Sequence, residues 1–363
     1  MPILSQSNRK NVFNIEIKVN GLFIDSWSSL SYVAKVNSAR AISFEAHGHV
    51  PQEALQLGAI IEIKAGVGIV TPTTELLHFK GVIKMLSPLF DKVVVTAIDY
   101  ITHLATSEYT KYTFEDSQGH DLYFLSANAA NYKGIDVSGL IAGADVFLDL
   151  DSVQTNLIGH QTRKEFLDNC FNDMTSFKSS TEYPANTYLQ WRYAIRSGTK
   201  MDFFLPDAAN INAEPVYTFS REKNNLHNAI VGSIDTSRII NSCRFVSSSD
   251  ETIYETYTDS SSVDTYGVSS KLIKYDSTRR DRLEQLAYRL VELHKFPTIS
   301  YNIQINTLEP LNLGDIVKVK IPSLERNDIL PIEEYTLTID NGIKATYTVG
   351  QKRLSTSQIL KLL

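Results

Sequence analysis

Eight histidines, two cysteines and 41 carboxylates are the residues from which this chain could build catalysis or metal binding. His47 and His49 flank Gly48. On a strand, side chains at i and i+2 share a face, so the pair could reach one metal ion. No third ligand follows at a zinc-site spacing, and there is no H-E-x-x-H. The pair therefore reads as a polar strand edge near a turn. Asp149 and Asp151 in FLDLDS could share a cation, but the glycine and distal glutamate of an EF-hand loop are missing. They read as a solvated strand edge. Gly66-Val67-Gly68 lacks the third glycine and the helix of a dinucleotide fingerprint, and is expected to be a turn. No G-x-S-x-G marks a nucleophile. Basic residues in Thr278–Arg282 are interrupted by Asp281 and followed by Glu284, which suits a solvated helix face. Cys170 and Cys243 are too few for a disulfide framework or a four-cysteine zinc site, and read as small buried hydrophobes. No catalytic residue, cofactor or metal ligand is assigned, and the chain reads as a structural or interaction protein rather than an enzyme.

The bulk numbers agree. A chain of 363 residues has room for two or three domains with buried cores. Apolar residues are 43% and charged residues 21%, as in ordinary globular proteins. A net charge of −6 argues against general nucleic-acid binding, which needs basic surface to neutralise phosphates. The N-terminus has no apolar core of signal-peptide length. No window approaches the roughly 18 apolar residues of a membrane span. A soluble protein folding in a reducing cytoplasm is expected.

The elements that would position any site are mostly strands. Residues 12–19, VFNIEIKV, alternate apolar and polar, the period of a strand with one buried face. Asn20-Gly21 predicts a hairpin, with a return over Leu22 to Trp27. Further strands are expected at Ala41–Gly48, Ile60–Lys64, Phe79–Leu86 and Lys92–Tyr100. Loops and short strands are expected over Tyr109–Val153. Thr162 and Glu165 form a capping box opening a helix whose apolar face is Phe166, Leu167, Cys170, Phe171 and Met174. Tyr188–Ile195 and Lys200–Leu205 suggest a hairpin turning at Ser197-Gly198. Two strand-like runs occupy 227–247, and Ser247–Asp264 reads as an exposed hairpin or loop. The longest helix is expected from about Ser277 to His294, ended by Phe296-Pro297. Strands resume with Val317, Val319 and Ile321, then Tyr335, Leu337 and Ile339. Asn341-Gly342 predicts a type I′ turn, and Ala345, Tyr347 and Val349 lie on the return. Ser355 and Gln358 would cap a small closing helix, with Leu354 stapled to Ile359.

One segment occurs twice. LQLGAIIEIK, Leu55–Lys64, matches LNLGDIVKVK, Leu311–Lys320, at five of ten positions. Upstream, Ile42-Ser43-Phe44 answers Ile299-Ser300-Tyr301. An internal repeat shapes the whole fold, and this one suggests two similar β domains with something different between them.

With these stretches in order, the chain resembles the baseplate or tail-tip hub proteins of long-tailed bacteriophages and related contractile injection systems. The likeness rests on LxLGAIIEI, FKGVI (Phe79–Ile83) and VVVTAIDYITHL (Val93–Leu104). It continues through NAIVGSIDTSRIINSCRF (Asn228–Phe245), VDTYGVSS (Val263–Ser270), the long helix with its proline, LxLGDIVKVKIP, and VGQKR (Val349–Arg353). It is weakest over about 110–217. The resemblance implies an α+β, mainly β protein in which two similar antiparallel β-barrel (tail-tube-like) domains flank a mixed α/β middle domain. It places the first barrel at 1–108, the middle domain at 110–217 and 251–295, the second barrel at 218–250 and 296–351, and a helical tail at 352–363.

The resemblance further implies a homotrimer with pseudo-sixfold symmetry. Its partners would be a hexameric tail tube or distal tail protein, a spike or fibre protein and a tape-measure protein. DNA would pass through without specific binding. The location would be the virion tail tip, with assembly in the host cytoplasm. The chain ends about a dozen residues after the second barrel, so no wall-degrading domain or fused spike is expected. Candidate interface residues are Leu57, Gly58, Ala59 and Glu62 in the first copy and Leu313, Gly314, Asp315 and Lys318 in the second. Ala59 against Asp315, and Glu62 against Lys318, mark where the copies would meet different neighbours. The alternative is a non-enzymatic receptor- or carbohydrate-binding tail protein, favoured by the 18 tyrosines and 16 phenylalanines.

Overall fold

The computed structural model describes residues 12–48, 55–68, 74–109, 130, 133–137, 161–173, 175–180, 183–190, 192–204, 214–220 and 230–350. Strands β1 (Val12–Val19) and β2 (Leu22–Phe23) form the first hairpin, with Asn20 and Gly21 both at positive φ. Next come β3 (Trp27–Lys35), β4 (Ala41–His47), β5 (Ile60–Gly68), β6 (Thr74–Pro88) and β7 (Lys92–Asp99). Helix α1 (Ile101–Thr106) and β8 (Glu108–Tyr109) follow. Then come β9 (Gln161–Thr162), α2 (Arg163–Asp173), β10 (Thr175–Ser180), β11 (Tyr183–Gln190), β12 (Arg192–Ser197) and β13 (Lys200–Phe204). After β14 (Tyr217–Phe219) and β15 (Ile230–Asp235) come β16 (Ser242–Ser247), β17 (Tyr254–Thr258), α3 (Ser260–Tyr266), β18 (Ser270–Tyr275) and α4 (Arg280–His294). The chain then forms β19 (Thr298–Ile305), β20 (Ile316–Ile321), a 3₁₀ turn at Pro322–Leu324, β21 (Arg326–Ile339) and β22 (Ile343–Gly350).

Thirteen strands form one sheet, in the order β15-β19-β22-β21-β3-β4-β7-β6-β5-β1-β2, with β20 on β21 and β14 on β20. The protein is thus α+β and mainly β. The two repeats are not separate closed barrels among the described residues: β21 of the second pairs antiparallel with β3 of the first. Nor is the pairing antiparallel throughout, since β14–β20 and β16–β18 are parallel. Alternation along the strands sends one face inward. Ile17, Ile61, Ile63, Phe44 and Phe79 of the first repeat join Tyr301, Ile303, Val317, Val319 and Tyr347 of the second in one apolar cluster. Each such side chain contributes about 1.5–3 kcal/mol when fully buried.

The repeat is visible bond by bond. β5 pairs with β6, β6 with β7, β7 with β4 and β4 with β3; β20–β21, β21–β22, β22–β19 and β19–β15 repeat that pattern. Both long strands carry a register shift at the same place, Ile83/Met85 in β6 and Ile332/Glu334 in β21. Ile83 faces Ala97 and Ile332 faces Val349; Ile42 faces Ala97 and Tyr301 faces Val349. Ile42 therefore corresponds to Tyr301, so the sequence match of Ile42 to Ile299 is displaced by two residues. A two-residue displacement keeps every side chain on its own face, which is why the pattern alone could not detect it.

Between β15 and β19 a smaller unit is inserted. β17, β16 and β18 form a sheet, and Leu283, Leu286, Ala287, Leu290 and Val291 of α4 pack on its Cys243, Phe245 and Ile273. Residues 242–247, assigned from sequence to the second β domain, thus pair with β17 and β18 instead. α3 was not foreseen in the polar run 247–264. Asp259 caps it by accepting from the Ser262 N–H, and Gly267 closes it at positive φ.

Other expectations need correction. Gly66-Val67-Gly68 is not a turn but the end of β5, held by Val12, Phe13 and Asn14 of β1. The return after Asn20-Gly21 pairs only over Leu22 and Phe23. Tyr188–Gln190 pairs with β10, so the later hairpin begins at Arg192. Ile339 lies opposite Ile343, so three residues close that hairpin. Neither Asn341 nor Gly342 takes positive φ, because a three-residue loop does not require type I′ geometry. Asp149, Asp151, His49 and the closing helix lie outside the described residues.

Candidate docking edges

The two LxLG turns are built alike. Gly58 and Gly314 take φ of 83° and 81°, a left-handed conformation that favours glycine. Gly58 N–H donates to the Ile83 carbonyl at 2.8 Å, and Gly314 N–H to the Ile332 carbonyl at 2.8 Å. Ile83 N–H donates back to Ala59, and Ile332 N–H back to Asp315, each at 3.0 Å.

Their surroundings differ. Leu57 is 68% exposed and Leu313 5%. Phe204 of the β12–β13 hairpin lies against Gly314, whereas nothing crowds Gly58. Ala59 is buried. Asp315 accepts from the Asn312 N–H at 2.7 Å, and partial burial pushes its carboxyl up. Glu62 accepts from His78 Nε2 at 2.9 Å. Lys318 sits between Thr218 of β14 and Ile329 of β21. The eight candidate residues thus occupy equivalent turns and strands, but not sheet edges: β5 runs between β6 and β1, and β20 between β21 and β14. Of the eight, Leu57 and Gly58 are open to solvent.

The edges lie elsewhere. β15 pairs with β19 on one side and, among the described residues, ends the sheet on the other. It is also the most exposed of the longer strands in that sheet, with Val231 67% and Ile234 41% accessible. Besides β2 and β14, which also have one neighbour each among the described residues, a further edge is on β6. Its N-terminal part pairs with β5 as far as Val82, and its C-terminal part pairs with β7 over Gly81–Pro88. Beyond Ile83, its other side meets no strand among the described residues. Met85, Leu89 and Phe90 are exposed there. Neither edge has a motif; both become visible only when the ladders are counted.

The seam between the repeats shows how such edges are filled. Glu334 to Ile339 of β21 run opposite Lys35 to Leu30 of β3. Tyr335 stacks on Tyr347 at 5.1 Å and meets Tyr32 edge-on at 5.5 Å. The β12–β13 hairpin caps this seam. Asn37 N–H donates to the Tyr193 carbonyl, and Tyr193 N–H to Asn37 Oδ1, both at 2.8 Å. Beneath it, Arg40 Nε reaches Asp99 Oδ2 at 2.9 Å, both side chains fully buried. Arg40 also donates to the carbonyls of His78 and Gly198. Burial pushes the Asp99 carboxyl up, and the guanidinium and the N–H groups of Arg40 and Ile101 oppose that shift.

Among the described residues no group of three or more His, Cys, Asp or Glu could hold a metal ion. His47 Nε2 is engaged with Ser28 Oγ at 2.6 Å. Burial pushes the Cys243 thiol up to about 12, away from thiolate chemistry. Among the described residues no helix is long and apolar enough to cross a membrane.

Sequence comparison returns neither a matching family model nor a matching curated protein. Solved structures do match. A tail protein from Neisseria meningitidis MC58 aligns with TM-score 0.62 and 10% identity, covering 94% of this chain and 97% of its own. The 43 kDa tail protein of prophage MuSo2 from Shewanella oneidensis gives 0.59 and 12%, covering 93% and 98%. Prophage tail protein gp18 from Listeria monocytogenes EGD-e gives 0.59 and 14%, covering 96% and 98%. The chain has the fold of these tail proteins. At such identities the likeness extends to the fold, along nearly the whole length of each chain.

Proposed function

We propose that this protein is a structural, non-enzymatic hub at the tip of a phage-type tail. In this reading it is a homotrimer that adapts the symmetry of a hexameric tail tube, or of a distal tail protein, to a threefold spike or fibre. The observation that carries the reading is the duplicated ladder: two units with the same strand order, the same register shift and the same glycine turn lie side by side in one sheet. Three chains would then present six similar units, which a hexameric partner can contact equivalently. The full-length structural likeness to prophage tail proteins supports the same reading. The insertion between β15 and β19 would remain threefold and suit a threefold partner.

The channel of such a ring would house the end of a tape-measure protein and then pass DNA. A net charge of −6 suits passage without adhesion. The protein would assemble in the host cytoplasm and reside in the virion. Native mass spectrometry and negative-stain imaging of the purified chain test this directly. A threefold ring with six inner lobes is expected; a monomer at all concentrations, with and without tail-tube protein, would overturn it.

A further inference from the structure

We infer that copies of this chain join by strand pairing between β6 of one and β15 of the next, in a register set by the seam inside each chain. The inference deepens the reading above by naming the joining surfaces, and it rests on that reading for the number of copies.

The argument is one of equivalence. Within the chain, β21 offers its free side to β3. By the shared ladders β6 corresponds to β21, with Ile83 on Ile332 and Met85 on Glu334. By the same ladders β15 corresponds to β3: Tyr32 faces Ile42 and Gly232 faces Tyr301, and Ile42 corresponds to Tyr301. Among the described residues β2 and β14 also end the sheet, but β6 and β15 are the open strands that are counterparts of the two that pair. Transferring the β21–β3 register sets Leu86 opposite Ile234 of the next copy, Ser87 opposite Ser233, and Pro88 opposite Gly232.

The chemistry of the edges fits. The half-buried Leu86 would meet Ile234, and the exposed Leu89 would lie opposite Val231, both of them exposed on β15. Lys84 lies next to Met85, which would face Asp235. Leu89 N–H points toward β7, bonded to the Lys92 carbonyl. Alternation then turns Leu86, and the side of Pro88 that has no N–H, toward the open edge. Val36 N–H donates to the Glu333 carbonyl, so the parity matches: Leu86 exchanges two bonds with Ile234, Pro88 accepts one from Gly232, and the ladder ends. A Cβ added at Gly232, the counterpart of Tyr32, would collide with the Tyr301 ring. The two surfaces differ, so pairing is heterologous and must close into a ring or propagate.

Ser87 and Ser233 form the closer, non-hydrogen-bonded pair of this register, with Cα atoms about 4.5 Å apart. Ser87→Cys protein and Ser233→Cys protein, mixed under mild oxidation, should give a covalent dimer that neither gives alone. The double variant should give covalent closed rings. Ser87→Cys mixed with Val231→Cys, two residues out of register, should link at least tenfold less. As a second measurement, Ile234→Asp should shift native mass to monomer while leaving circular dichroism unchanged. A trimer that neither cross-links at 87/233 nor responds to Ile234→Asp would overturn this interface and leave the hub reading standing. A wild-type chain that stays monomeric and unlinked would overturn both.

Discussion

Arg40 and Asp99 are 59 positions apart in sequence, yet form a fully buried ion pair under the hairpin that covers the seam. Removing one partner of such a pair leaves an uncompensated charge in a low-dielectric interior and costs about 3–5 kcal/mol. Asp99→Ala is therefore expected to lower stability by that amount in urea unfolding. The double replacement Arg40→Met, Asp99→Leu should cost clearly less than the two single changes combined, since no charge is stranded. The two turn glycines give a matched comparison. Gly58→Ala strains a left-handed backbone and should cost about 1–2 kcal/mol. Gly314→Ala bears the same strain, and its Cβ would lie 2.1 Å from the Phe204 ring. Overpacking adds roughly 1–3 kcal/mol, so Gly314→Ala should be the more destabilising of the pair. Equal losses would mean that the hairpin does not cover the second turn.

At the scale of elements, local signals were legible where the cause was local. The Thr162/Glu165 capping box forms both of its bonds, at 2.8 and 3.2 Å. Asn20-Gly21 makes its hairpin, and α4 runs within its predicted span with the predicted apolar face buried. The repeat was readable because LxLG demands a left-handed glycine twice. Strand partners were not readable. Whether β16 joins β15's sheet or β17's depends on contacts that the alternation of apolar residues does not encode. The same limit hid the open edges, since β5 and β6 share one pattern and only pairing tells which side is open. α3 could have been found from Asp259 and Gly267, a cap at each end, but its serine-rich interior reads as loop. Asp259 also supports a pH prediction. Burial alone would raise its carboxyl; bonds from Ser261, Ser262 and Lys295 outweigh this and hold it below the usual range. A carboxyl depressed in the folded state contributes stability above its unfolded pKa of about 4 and loses it as pH falls through the folded value. Acid should therefore lower the stability of this unit below pH 4, while Asp259→Asn, still a good cap, should flatten that dependence. Chemical denaturation at stepped pH checks it.

In the whole molecule, one kind of seam would serve in two settings. The seam of β21 on β3 joins units within a chain, so its partner is always present at the high effective concentration of a tethered strand. It also carries the aromatic stack of Tyr32, Tyr335 and Tyr347 and is capped by the β12–β13 hairpin. The seam of β6 on β15 would join separate copies, lacks one backbone bond at Pro88, and has Leu57 and Gly58 uncovered at the turn beside β6. Alternating strong and weak seams would make a ring that opens into chains before the chains unfold. Denaturation of the assembled protein should then show two transitions. The first, read by light scattering, should move to higher denaturant as protein concentration rises, because association stabilises by mass action. The second, read by circular dichroism, should stay put. Ile234→Asp should abolish the first and spare the second, whereas Asp99→Ala should shift the second. A single transition independent of concentration would show that the two seams are not built as unequal halves of one ring.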